Sequence, residues 1–175
     1  KNVSVIIPTA CPLQLDYMLR SLTLQRKFIS EIIVVEDWVY AEDFSVKRLA
    51  DEFGCVYRRL PTPKRTRFDF RAGACRNLGL TLATGDLVLW IDNDSVPCLW
   101  YLEHLLDIHN RFPNGALSGH RVYLRETIND FNDANWMQKI SQWDSRNVPD
   151  EIGLYDQRHF VGSHGHMQIL LSNNV

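Results

Sequence analysis

Three short runs of residues carry side chains that could act on a phosphate-bearing substrate. The first is Asp92-Asn93-Asp94, which follows the apolar run Leu87-Val88-Leu89-Trp90-Ile91. Side chains alternate across a strand, so two carboxylates two positions apart share a face if the strand persists. At a strand end they can face one hard cation such as Mg²⁺ or Mn²⁺, which takes one or two carboxylates and completes its shell with water and substrate phosphates. The same three residues also suit a polar turn that caps a strand. The second run is Glu36-Asp37, at the end of Glu31-Ile32-Ile33-Val34-Val35. A carboxylate there can accept a hydrogen bond from a ribose hydroxyl or a base N–H, and it is also ordinary turn chemistry. Trp38 beside it can stack on a base or pack inside. The third run is basic: Arg58, Arg59, Lys64, Arg65, Arg67, Arg71 and Arg76 are seven of the 19 Lys and Arg residues. Arginine offers a bidentate fork to phosphate oxygens, which suits a diphosphate. A nucleic acid would be drawn to the same cluster, and a solvated loop can have the same composition.

The balance of the chain limits these options. It has 175 residues, 45% apolar and 23% charged, with 19 basic against 21 acidic residues and a formal net charge of -2. Those values describe one globular domain and exclude a polycationic tail, so no nucleic-acid partner is expected. No apolar run approaches the roughly 18–20 residues of a membrane span, which leaves peripheral membrane association open. Cys11, Cys55, Cys75 and Cys98 are widely spaced, with no CxxC pair. Free thiols suit a reducing cytosol, so a cytoplasmic location is expected. His164 and His166 alternate ahead of a late strand, but no zinc spacing supports them as ligands. There is no P-loop and no G-x-S-x-G elbow.

The elements that must position these residues follow from periodicity. Val3 to Pro8 reads as a buried strand, and Leu15, Met18, Leu19 and Leu22 mark an amphipathic helix over roughly 13–26. Glu31 to Val35 is a second strand. Phe44, Leu49, Ala50 and Phe53 mark a second helix, closed by Gly54. Cys55 to Tyr57 is a short third strand, and residues 58–71 read as a loop. Phe70 to Ala83 reads as a helix ended by Thr84-Gly85-Asp86, and Leu87 to Ile91 as a fourth strand. A helix follows to about Phe112, then a strand over Ala116 to Tyr123. This alternation predicts an α/β three-layer sandwich with a mostly parallel sheet. Pro8-Thr9, Glu36-Asp37 and Asp92-Asn93-Asp94 then share its carboxyl edge, where such sheets bind ligands. The organisation expected is a core over 1–123 and a segment over 124–175. That segment holds a helix over about 130–146, with Trp136, Ile140 and Trp143 on one face, and a strand over about 167–171.

Four motifs in order and spacing resemble family 2 glycosyltransferases of GT-A, Rossmann-like fold. They are Val3-Ser4-Val5-Ile6-Ile7-Pro8-Thr9, Glu31 to Asp37, Gly73-Ala74-Cys75-Arg76-Asn77-Leu78-Gly79-Leu80, and Ala83 to Asp94. The resemblance covers about 1–123 and fades beyond. It implies transfer of a sugar, with inversion, from a nucleotide-diphosphate sugar, usually UDP-linked, to an acceptor hydroxyl on a glycan, lipid or protein. It implies that Pro8 and Thr9 line the nucleotide pocket and that Asp37, with Glu36, contacts uracil or ribose. It places Arg71 or Arg76 near the base or diphosphate and Asp92 at the ribose. Asp94, with Asp92, is implied to hold a divalent metal, Mn²⁺ or Mg²⁺, and Asn93 of the same DXD motif is implied to bind the nucleotide sugar. Two departures stand out. The chain has Glu36-Asp37-Trp38-Val39 where the family commonly has Asp-Asp-Gly-Ser. No acidic motif follows the strand near 167–171, so with Lys1 and Val175 both read as cut ends, the general base is expected beyond Val175. Two other functions fit fewer residues. A sugar nucleotidyltransferase would need a Gly-rich loop after Pro8, and a non-catalytic nucleotide-sugar-binding module would need only the donor half.

Overall fold

The computed structural model describes residues 1–13, 15–63, 66, 69–97, 100–113, 116–118 and 169–172. Its elements run β1 (Val3–Thr9), α1 (Leu15–Leu24), a 3-10 turn (Arg26–Phe28), β2 (Ile29–Glu36), α2 (Ser45–Glu52), β3 (Val56–Arg59), α3 (Ala72–Leu82), β4 (Leu87–Trp90), α4 (Tyr101–Arg111), β5 (Leu117–Ser118) and β6 (Ile169–Ser172). They form one six-stranded sheet in the order β3-β2-β1-β4-β6-β5. β1 pairs in parallel with β2 and with β4, and β2 with β3. β6 runs antiparallel between β4 and β5. The mostly parallel α/β architecture expected from the sequence is the one observed.

Alternation along the strands builds two cores. Val3, Val5 and Ile7 of β1 point to one face, with Ile32 and Val34 of β2 and Leu87 and Leu89 of β4. That face is covered by Leu15, Met18, Leu19 and Leu22 of α1, Val46 and Ala50 of α2, and Leu102 and Leu105 of α4. Ile6, Ile33, Val35 and Val88 point to the opposite face and meet Cys75, Leu78 and Leu82 of α3. Strands buried on both faces explain the continuous apolar runs in the sequence. Each fully buried Leu, Ile or Val contributes roughly 1.5–3 kcal/mol. Pro8 is accommodated because β1 pairs with β4 only as far as Ile6↔Trp90, so it lies past the last rung on that side.

Two glycines are required by their positions. Gly54 has φ +63°. Beside it, Cys55 N donates to Ala50 O at 2.8 Å and Gly54 N to Asp51 O at 3.1 Å, the Schellman closure of α2. Gly79 lets α3 touch the sheet, because a Cβ there would lie 2.4 Å from Ile6 Cγ2. The helix that carries Arg76 is therefore held directly against β1.

Several expected boundaries shift. The helix expected over Phe70 to Ala83 is Ala72–Leu82, and the one expected over 13–26 is Leu15–Leu24 with a separate 3-10 turn. β2 is longer than expected, and β3 is Val56–Arg59. Of the strand expected over Ala116 to Tyr123, Leu117–Ser118 is described. Of the last strand, expected over 167–171, Ile169–Ser172 is described, one residue beyond the expected end. The expected helix over 130–146, with Trp136, Ile140 and Trp143, lies outside the described residues, as do His164, His166, Cys98, Lys64, Arg65 and Arg67.

Candidate functional site

Strand order fixes where a ligand can lie. From β1 the chain winds outward through β2 and β3, with α1 and α2 on one face. It then crosses by α3 on the other face to β4, on the opposite side of β1. The winding direction thus reverses between β1 and β4, which opens a crevice beyond their carboxyl ends. Thr9 ends β1, Glu36 ends β2, and the Asp92-Asn93-Asp94 turn follows β4. The three groups expected on one edge do share it.

Three of the acidic residues singled out in the sequence, Glu36, Asp37 and Asp92, are each met by an arginine of the basic run. Arg71, at the start of α3, grips Asp37. Its Nη2 lies 2.6 Å and its Nε 3.1 Å from Asp37 Oδ1, while its backbone N–H donates to Oδ2 at 2.7 Å. Arg71 also donates to Thr62 O at 2.6 Å and Thr62 Oγ1 at 3.1 Å. The Asp37 side chain is 0% exposed, and that of Arg71 is 34% exposed. The hydrogen bond it donates to Asp37 holds the Arg71 guanidinium above its usual pKa. Glu36 is also closed off: Oε2 accepts from Arg59 Nε at 2.7 Å and from the Tyr57 hydroxyl. The β2–β3 register places Glu36 directly opposite Arg59. Arg59 in turn lies over the rings of Trp38 and Phe44, at 5.4 and 4.8 Å. Burial pushes the Arg59 guanidinium down in pKa, but hydrogen bonds and charge from Glu36 and Tyr57 more than reverse this. Burial also pushes the Tyr57 phenol well up.

The β4 end is more open. Arg76, on the second turn of α3, places Nη2 2.6 Å from Asp92 Oδ1. The two side chains are 31% and 14% exposed. β4 stops at Trp90, and Ser95 N donates to Asp92 O at 3.0 Å, so the carboxylates sit on a turn. Strand alternation therefore does not set their direction, contrary to the conditional reading of the sequence. Asp92 is half-buried and Asp94 exposed. Asn93 points back to β1: its Nδ2 donates to Thr9 Oγ1 at 2.9 Å and to Cys11 O at 3.3 Å. Pro8 and Thr9, at the end of β1, are both buried. Thr9 Oγ1 donates to Cys11 O at 2.8 Å and accepts from Cys11 N at 3.3 Å.

The sequence reading named the acids and the arginines but missed that they partner each other. It also missed Thr62, Tyr57 and the Asn93–Thr9 bond. Buried carboxylates stay ionised only beside a counter-charge, and that rule was the available signal. Among the described residues no group of three or more His, Cys, Asp or Glu side chains converges as a metal cage. Asp92 and Asp94 nonetheless fit a divalent cation of the Mg²⁺ or Mn²⁺ type: both are hard oxygen donors on one turn, and such ions take remaining ligands from phosphate and water. Among the described residues no helix is long and apolar enough to cross a membrane.

The Glycosyl transferase family 2 model matches residues 4–171. S. aureus TarS residues 1–349 superimposes with a TM-score of 0.55 at 21% identity, covering 74% of this chain and 37% of that one. S. aureus TarS gives a TM-score of 0.52 at 20% identity over 73% of this chain and 24% of that one. Glucosyl-3-phosphoglycerate synthase from Mycobacterium tuberculosis, in complex with Mn²⁺ and UDP-glucose, gives 0.48 at 21% identity over 61% and 38%. No curated protein matches the chain. The chain spans less than two fifths of the length of these structures, and the likeness to TarS is one of fold, GT-A.

Proposed function

The chain belongs to glycosyl transferase family 2, and from that premise we propose that it forms the donor-binding part of an inverting glycosyltransferase that uses a nucleotide-diphosphate sugar, UDP-linked in the first instance. The observation that carries this reading is the crevice between β1 and β4, where Thr9, Arg76, Asp92, Asn93 and Asp94 gather at the point of strand reversal. The nucleotide lies across the carboxyl ends of β1 and β2, with the diphosphate toward the Asp92–Asp94 turn. Asp94, with Asp92, would hold Mn²⁺ or Mg²⁺ there. Such an ion supplies Lewis-acid neutralisation of the departing diphosphate. Arg76 provides positive charge at the same place, aimed at charge that develops as the glycosidic bond breaks. Asp37 cannot reach the base by itself, being enclosed. It acts by fixing Arg71, whose partly exposed guanidinium keeps one Nη1 N–H for the base or ribose.

Inversion needs a carboxylate to take the acceptor's proton. No residue is assigned that role: Asp144, Asp150, Glu151 and Asp156 lie outside the described residues. The acceptor is a hydroxyl on a glycan, lipid or protein, and the setting is cytoplasmic, with peripheral contact to a membrane where the acceptor is lipid-linked. The test is UDP release by the whole protein from UDP-glucose, UDP-galactose and UDP-N-acetylglucosamine, with Mn²⁺, Mg²⁺ or EDTA. Metal-dependent UDP release from one donor is the expected result. Pyrophosphate release from UTP and a sugar phosphate would instead establish a nucleotidyltransferase. Metal-dependent UDP binding without turnover of any donor would leave a binding module.

A further inference from the structure

We infer that Asn93 is a positioning residue that latches the two lips of the β1–β4 crevice together, so that the nucleotide side and the metal side of the site act as one unit. The inference rests on the donor-site reading above. β1 and β4 are the strands at which the winding reverses, so the loops after them diverge: Ala10 to Leu13 leads to α1, and Asp92 to Pro97 leads to α4. Asn93 Nδ2 links the β4 loop to the end of β1 and the loop after it, donating to Thr9 Oγ1 at 2.9 Å and to Cys11 O at 3.3 Å. Thr9 Oγ1 is in turn bonded to both polar backbone groups of Cys11. Asn93 therefore grips a loop whose shape Thr9 has already set. A carboxylate at position 93 could not replace it, since both of its contacts here are made by donating an N–H and an ionised Asp only accepts.

The position of Asn93 gives the latch its consequence. It lies between Asp92, which is held from α3 by Arg76, and Asp94, which is exposed. Asn93 thus joins the acidic turn to β1 on one side while Arg76 joins it to α3 on the other. Without the latch the turn keeps its ion pair but loses its fixed relation to the β1 loop. A diphosphate bridging the two lips would then have to order them on binding, and that cost falls on nucleotide binding in the presence of metal.

The test is a double-mutant cycle in the whole protein with Asn93→Ala and Thr9→Val, read by calorimetric titration of UDP with and without Mn²⁺. A second readout, free of ligand, is amide hydrogen exchange over residues 9–13. Each single variant is expected to weaken UDP binding in Mn²⁺ by about 10-fold, with the double variant no weaker than the worse single. Without Mn²⁺ the change is expected to stay under about 2-fold, because UDP then lacks the bridge between the lips. Exchange over 9–13 is expected to rise in Asn93→Ala while the thermal midpoint stays within about 2 °C. Asn93→Asp is expected to resemble Asn93→Ala. Additive losses, or Asn93→Ala binding UDP as the unsubstituted protein does, overturn the latch while leaving the donor site standing. Unchanged exchange over 9–13 also overturns it. If the unsubstituted protein binds no UDP with Mn²⁺, the donor-site reading itself fails and the latch falls with it.

Discussion

The ends of β2 and β4 look alike in sequence and differ in the structure. Both finish an apolar strand with adjacent or near-adjacent carboxylates, both lie on the carboxyl edge, and each receives an arginine from the cap or second turn of α3. At β2, Asp37 is 0% exposed and takes three hydrogen bonds from Arg71, while Glu36 is sealed by Arg59 and Tyr57. At β4, Asp92 is half-buried and pairs with Arg76, and Asp94 is exposed. An acidic strand end becomes scaffolding when its charge is fully satisfied from within, and it can act on a ligand when some of its oxygens face solvent. The β2 end thus holds Arg71, while the β4 end keeps Asp94 open to solvent, as the proposed cation and diphosphate require.

The substitution with the largest expected effect strikes both ends at once. Gly79→Leu places a side chain where a Cβ already lies 2.4 Å from Ile6 Cγ2, so α3 must move off β1. Overpacking of this kind costs about 3 kcal/mol, to be read by urea unfolding, and both arginine pairs should loosen together. Asp94→Ala separates the ends. It should weaken Mn²⁺-dependent UDP binding by about 100-fold, roughly 2.8 kcal/mol at about 1.4 kcal/mol per factor of ten. Its effect on unfolding should stay within about 0.5 kcal/mol, because the side chain is exposed. Asp37→Ala should show the reverse order of effects. It strands the Arg71 backbone N–H and should cost about 2 kcal/mol of folding stability, with weaker UDP binding following from the loosened Arg71. If Asp37→Ala abolished binding and left stability intact, the β2 end would be a ligand site and the contrast would be lost.

The smallest expected effect lies on the opposite edge of the sheet and serves as a control. Glu31 Oε1 accepts from Ser4 Oγ at 2.6 Å, Thr84 N at 2.6 Å and Thr84 Oγ1 at 2.8 Å. Burial alone would raise its pKa, but these hydrogen bonds and one from Gly85 leave it below its usual 4.5. A carboxyl depressed on folding contributes stability above its unfolded pKa, and that contribution is lost as pH falls through the folded value. Glu31→Gln should therefore flatten the loss of stability below about pH 4.5 by under roughly 1 kcal/mol and leave UDP binding at pH 7 unchanged.

Much of this arrangement was legible in the residues. β-branched runs gave β1, β2 and β4, and the Leu15-Met18-Leu19-Leu22 spacing gave α1, because burial on a fixed face imposes those periods. Gly54 announced the end of α2. Element ends were less legible, since the last rung of a strand depends on its neighbour: Pro8 lies beyond β4, and Trp90 closes β4 before the acidic turn begins. The pairing of acids with arginines was hidden for the same reason. Arg71 and Arg76 reach Asp37 and Asp92 only because Gly79 seats α3 on β1, which is a tertiary contact with no local signature. Glu36 and Arg59 became partners through strand order, which sets them opposite each other.

The central claim is that the open β4 end binds a metal-bridged nucleoside diphosphate. Titration of UDP into the whole protein, with Mn²⁺ and with EDTA, for the unsubstituted protein and Asp94→Ala side by side, tests it most directly. The account predicts UDP binding that Mn²⁺ tightens and that falls about 100-fold in Asp94→Ala, with the unfolding midpoint unchanged. UDP binding equal in EDTA and Mn²⁺, or undiminished in Asp94→Ala, would contradict it.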